Sequence, residues 1–192
     1  MSGLNGLWPW IFRGLGFAIF AVLAAEIVRE RYRHRLEIVA FPERGEPYVH
    51  DKVLNTGETL RIHRVGVRNS GETVHGIKVK PIAFSPPEPG AAYIGHELAP
   101  MGQPGGTMTM DVNKATEPLV FFDVIGQVFR QNMPSHGLHL RHAAQGLFGR
   151  SLPGQRDSYR ITLAIDGKRA GQSVDFLIEK DKLGERWELK QA

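Results

Sequence analysis

Apolar residues run from Leu7 to Val28, LWPWIFRGLGFAIFAVLAAEIV, broken by charge only at Arg13 and Glu26. Beyond this run the pattern changes to a period of two, the signature of half-buried strands. In Leu60–Phe84, Val65 and Val67 alternate with Gly66 and Arg68, NSGE supplies turn chemistry, and Val74, Ile77 and Val79 follow. This predicts two strands joined by a tight turn. Leu98–Val112 carries a Gly/Pro-rich turn and then Met108, Met110 and Val112 in alternation, while Pro118–Phe129 begins as a buried strand. Ser158–Asp181 predicts a hairpin, with Tyr159, Ile161, Leu163 and Ile165 on one arm and Val174, Phe176 and Ile178 on the other. A strand over Leu36–Phe41 brings the number to about seven. Trp187 and Leu189 alternate in the charged tail and predict an edge strand or a docking point. Closely spaced turn signals between short strands favour a β-sandwich over a helical bundle.

The N-terminal run has 22 residues. As a helix it would reach about 33 Å, close to the hydrocarbon thickness of a bilayer. Trp8 and Trp10 suit an aromatic belt, Tyr32 suits the other interface, and Arg13 can snorkel to the nearer headgroups. Two other readings are a cleaved signal peptide and a soluble or interfacial helix. The six residues before the run carry no basic side chain, and AVLAAE is a poor cleavage site, which weakens the first. Arg29, Arg31, Arg33 and Arg35 follow the run. Positive-inside logic then places the N-terminus outside and the domain in the cytoplasm of a single-pass inner-membrane protein, with a periplasmic domain as the alternative. The organisation expected is a transmembrane helix with a basic stalk over 1–35 and a β-sandwich over 36–192. Residues 113–157 are expected as an irregular or partly helical insertion.

Charge sharpens this division. Of the net charge of +4 over 192 residues, +3 lies in residues 1–35, where five arginines face two glutamates. Residues 36–192 carry 19 Lys and Arg against 18 Asp and Glu. A nearly neutral domain lacks the basic face that nucleic acid requires. Cysteine is absent, which removes disulfides, thiolate metal sites and cysteine nucleophiles. GQPGG has no Lys-Ser/Thr sequel and no serine has a nucleophile-elbow context, so neither a phosphate loop nor a catalytic motif is present.

VGVRNSGETVHGIKVK is similar to the V-x-V-x-N-x-G hairpin of bacterial immunoglobulin-like modules. LAPMGQPGGTMTMDV resembles the turn and strand that follow, and YRITLAIDGKRAGQSVDFLIEKD resembles their closing hairpin. The resemblance implies an immunoglobulin-like β-sandwich of about seven strands, here preceded by one transmembrane α-helix. The layout also resembles that of the copper chaperones that assemble cytochrome oxidase. Those hold copper through cysteines, so the likeness extends to architecture alone.

SHGLHLRH places His136, His139 and His142 three apart, a conceivable three-histidine metal site. No neighbouring carboxylate orients the rings, and Arg141 would repel a cation. The same stretch aligns Leu140, Ala144, Leu147 and Phe148 on one face of a weakly amphipathic helix, a surface for headgroups or a neighbouring subunit. The expected function is therefore non-catalytic: a membrane-anchored accessory subunit that packs on a larger integral-membrane complex, photosynthetic or respiratory, without a cofactor. Its contacts to lipid and partner subunits would come from Trp8, Trp10, Arg13, Arg29, Arg31, Arg33, Arg35, Leu140, Leu147 and Phe148. The alternatives are a metal-delivery or enzymatic factor built on the three histidines and a periplasmic binding module.

Overall fold

Alternation of inward apolar and outward polar side chains builds two antiparallel sheets in the computed structural model. It describes residues 18–25, 36–87, 94–101, 110–130, 133–140, 150–152, 156–166, 173–181 and 186–192. The chain divides into two compact units, Met1–Arg33 and His34–Ala192. In the first, residues 18–25 are helical and expose Ile19, Phe20, Val22 and Leu23. Among the described residues no helix is long and apolar enough to cross a membrane. The rest of the Leu7–Val28 run lies outside the described residues, as do Arg29, Arg31, Arg33 and Arg35.

The second unit is mainly β. Its strands are β1 (Leu36–Val39), β2 (Val49–Val53), β3 (Thr59–Asn69), β4 (Val74–Ser85), β5 (Ala99–Pro100) and β6 (Met110–Val112). They continue with β7 (Val120–Arg130), β8 (Met133–Leu140), β9 (Arg150–Leu152), β10 (Ser158–Asp166), β11 (Ser173–Lys180) and β12 (Trp187–Gln191). One sheet runs β1-β3-β7-β8-β9, with β2 also on β3 and β5 also on β7; the other runs β12-β11-β10-β4-β6. β1 and β2 pair with successive parts of β3, Gly66–Asn69 and Thr59–His63, so they form one interrupted edge.

The inward side chains of both sheets share one apolar core. Val65 and Val67 of β3, Phe122, Val124 and Ile125 of β7, Ile77 and Val79 of β4, Tyr159 and Ile161 of β10, and Phe176 and Ile178 of β11 all belong to it. Burial of this surface at about 25 cal/mol per Å² drives the two layers together. The arrangement is that of a β-sandwich. The hairpin expected over Ser158–Asp181 forms, with Ile161 opposite Phe176 and Tyr159 opposite Ile178. β12 is the terminal strand of its sheet and buries Trp187 and Leu189.

Several expectations need correction. The strands joined by NSGE are not a hairpin: β3 belongs to one sheet and β4 to the other. Asn69 makes this a corner. Its amide nitrogen donates to the carbonyls of Glu72 (2.6 Å) and Val112 (2.8 Å), and its Oδ1 accepts from the Gly71 N–H (2.9 Å). Residues 113–157 are not an irregular insertion, because β7, β8 and β9 come from them and β7 is a long central strand. Leu140, expected on a contact surface, ends β8 opposite Ile125 and is buried in the core. The amphipathic helix expected around it begins as a strand, since Met133–Leu140 finds its hydrogen-bond partners in β7. Leu147 and Phe148 lie outside the described residues. The strands number twelve among the described residues, against about seven expected, because the sheet edges are made of short segments the pattern does not resolve.

Candidate functional site

The inward row of β3 changes chemistry along its length. Cross-strand pairing puts Val65 opposite Phe122 and Val67 opposite Val120, whereas His63 faces Ile125 and Arg61 faces Gln127. Directly opposite residues share a face in an antiparallel pair. The sandwich interior is therefore apolar at one end and polar at the other. At the polar end a cleft of about 820 Å³ opens between the β1–β2 edge of one sheet and β12 of the other. Its lining includes Val49, Asp51, Arg61, His63, Trp187 and Lys190. The size falls within the range of small-molecule sites.

His63 forms the floor. It is 4% exposed, and neither ring nitrogen has a hydrogen-bond partner. The Trp187 backbone lies close enough to the ring to favour its protonated form slightly, and the Trp187 N–H donates to the Gln127 side chain at 3.0 Å. Burial, assisted by the nearby Arg61 charge, pushes the imidazole pKa down to about 4. The ring is neutral at pH 7 and carries one N–H donor and one acceptor nitrogen.

The charged groups of the walls are mutually paired. Arg61 grips Asp51 with two parallel hydrogen bonds of 2.7 and 2.6 Å. This bidentate contact lowers the Asp51 pKa and raises that of Arg61. Lys190 donates to Glu179 (2.7 Å) and lies 2.9 Å from Glu188, and these carboxylates hold its ammonium above the ordinary lysine range. Glu43, Glu46 and Arg186 remain at the exposed rim. Such a site can bind through hydrogen bonds; it holds no nucleophile poised beside a base.

The residues singled out from sequence lie elsewhere. His136 and His139 occur in β8, opposite Val128 and Gly126 of β7, and His142 lies outside the described residues. Among the described residues no group of three His, Cys, Asp or Glu side chains could hold a metal ion. Trp8, Trp10 and Arg13 lie outside the described residues. Sequence reasoning missed Arg61 and His63, although their spacing with Val65 and Val67 already places all four on one face. Comparison with known proteins finds no family, no curated relative and no solved structure that the chain matches.

Proposed function

We propose that the protein is a non-catalytic, membrane-anchored accessory subunit whose β-sandwich packs on a larger integral-membrane complex. The observation that supports this most is the helical segment 18–25. It is apolar on every side, AIFAVLAA, yet exposes Ile19, Phe20, Val22 and Leu23. A helix that is apolar all round requires lipid or a protein partner. The surrounding sequence extends the apolar run to 22 residues and ends it in alternating arginines, the pattern of a span whose following domain stays in the cytoplasm. The sandwich is immunoglobulin-like in this reading.

Purification in mild detergent with identification of co-purifying proteins tests the reading. The expected result is a stoichiometric complex with at least one polytopic membrane protein. A chain that runs alone as a monomer removes the accessory role. Cleavage of the domain by protease added outside intact spheroplasts overturns the cytoplasmic placement.

A further inference from the structure

The edge of a sheet carries backbone groups that pairing inside the sheet leaves over, and folded proteins cover or blunt it. Two edges of the sandwich are closed. Ile38 and Val39 of β1 and Leu189 of β12 are almost fully buried, and the Trp187 N–H is taken by Gln127. β2 differs. Around it, the Arg64 N–H donates to the Tyr48 carbonyl (2.7 Å) and the Leu54 N–H to the Glu58 carbonyl (2.8 Å). Hydrogen-bonded and non-bonded pairs alternate along an antiparallel ladder. His50 and Lys52 therefore turn their backbone toward β3, while Val49, Asp51 and Val53 turn theirs away. The Val49 N–H reaches the Gly45 carbonyl (3.0 Å) on that side. Among the described residues β2 pairs with β3 alone, so the N–H and C=O of Asp51 and Val53 lie on an open edge. The strand contains no proline or glycine, its last three residues are exposed, and Val53 is 72% exposed.

We propose that this edge docks an extended, basic segment of a partner protein, which adds to β2 as a strand and sends its cationic side chains into the adjoining cleft. The proposal does not depend on the membrane anchor. Directly opposite residues of paired strands share a face, and Val49 and Asp51 line the cleft, so every second side chain of the added strand enters it. The cleft is lined by five carboxylates against three lysine and arginine side chains. Asp51 and Arg61 neutralise each other, which leaves Glu43, Glu46, Asp181 and Glu188 against Arg186 and Lys190. Glu46 also meets Arg64, and Lys190 also meets Glu179, so the balance stays negative. It attracts a basic segment and repels an acidic one. Main-chain bonds to Asp51 and Val53 supply affinity and the cleft supplies choice, as in other strand additions. The buried His63 ring takes no part.

Pentapeptides titrated into the full-length protein in detergent test this. Acetyl-Thr-Arg-Thr-Arg-Thr-amide is expected to bind saturably and to slow hydrogen exchange at the Asp51 and Val53 amides. Glutamate in place of both arginines is expected to weaken binding by at least about tenfold. The residues that face the cleft are also those whose N–H groups meet the edge. Methylation of both arginine backbone nitrogens is therefore expected to cost at least about tenfold as well, and methylation of the threonine nitrogens to cost little. Val53→Pro removes one edge N–H without breaking a bond to β3, a change that edge strands tolerate. It is expected to weaken the arginine peptide by about tenfold with the cooperative unfolding transition retained. Absence of saturable binding, or equal binding of the glutamate or the arginine-methylated peptide, overturns the proposal. A dimer of the free protein that Val53→Pro dissolves also overturns it, the edge then belonging to a second copy of the chain.

Discussion

His63 and Arg64 are neighbours in β3, both buried and both of basic type, and they face opposite sides of the same sheet. Arg64 is fully engaged. Its Nε donates to Asp123 at 2.8 Å, its Nη1 lies 3.3 Å from the Pro47 carbonyl, and both partners of the ion pair are 8% exposed. His63 has no hydrogen bond. Equal burial therefore carries opposite meanings. On the outer face a charge is buried because the fold supplies its counter-charge. On the inner face a neutral ring is buried with both nitrogens shut off from solvent. The first is a stabilising device, and the second a polar group that burial penalises.

Removing the counter-charge should have the largest effect. Asp123→Ala removes the buried counter-charge of Arg64 and leaves it the exposed Glu46 at 3.6 Å, and a loss of about 3 kcal/mol is expected in chemical denaturation. A mild effect would erase the contrast, since Arg64 would then not depend on its partner. Next comes acid. The folded-state pKa of His63, about 4, is below the unfolded value of 6.5, so the unfolded chain takes up the proton first. Stability is unaffected above pH 6.5, falls as pH drops from 6.5 to about 4, and is then lower by about 3 kcal/mol. Denaturation of wild type and His63→Leu across this window should show the slope in the first and its absence in the second. At neutral pH, His63→Leu should be neutral or gain about 1–2 kcal/mol, the sign opposite to Asp123→Ala, because it deletes unsatisfied groups. Asp51→Ala should cost less than about 1 kcal/mol, since its pairing with Arg61 lies partly in solvent. A larger loss would show that the cleft wall is itself structural.

Strong alternation over long strands was legible in the sequence. Tyr159, Ile161, Leu163 and Ile165 carry a signal that needs no knowledge of the partner sheet, and β10 and β11 follow it. The corner at NSGE was not legible as a corner. Its deciding bond joins Asn69 to Val112, 43 residues away, and turn residues serve a hairpin and a sheet crossing equally well. Met133–Leu140 was misread because glycine and histidine break its alternation, while its register is fixed by β7. The candidate site was half legible. Periodicity aligns Arg61 and His63 with Val65 and Val67, but the orphaned state of His63 depends on Gln127 and Trp187, from two distant strands.

The pairing of β3 with β7 skips Val124: Arg64 faces Asp123 and His63 faces Ile125, so one extra residue bulges from β7. Val124 and Ile125 are consecutive and both point into the core. The bulge acts as a phase shifter for the rest of the strand. Before it, even-numbered residues face inward; after it, odd-numbered ones do, which is why Gln127 reaches Trp187 while Val128 packs outside with Leu60 and Ile62. If β7 ran straight, with Val124 opposite His63, that half of the strand would be inverted, turning Gln127 outward and driving Val128 into the polar end. The identity of the cleft thus rests on a count of residues as much as on their kinds. A one-residue slip of register here would rewrite the site while leaving its composition unchanged.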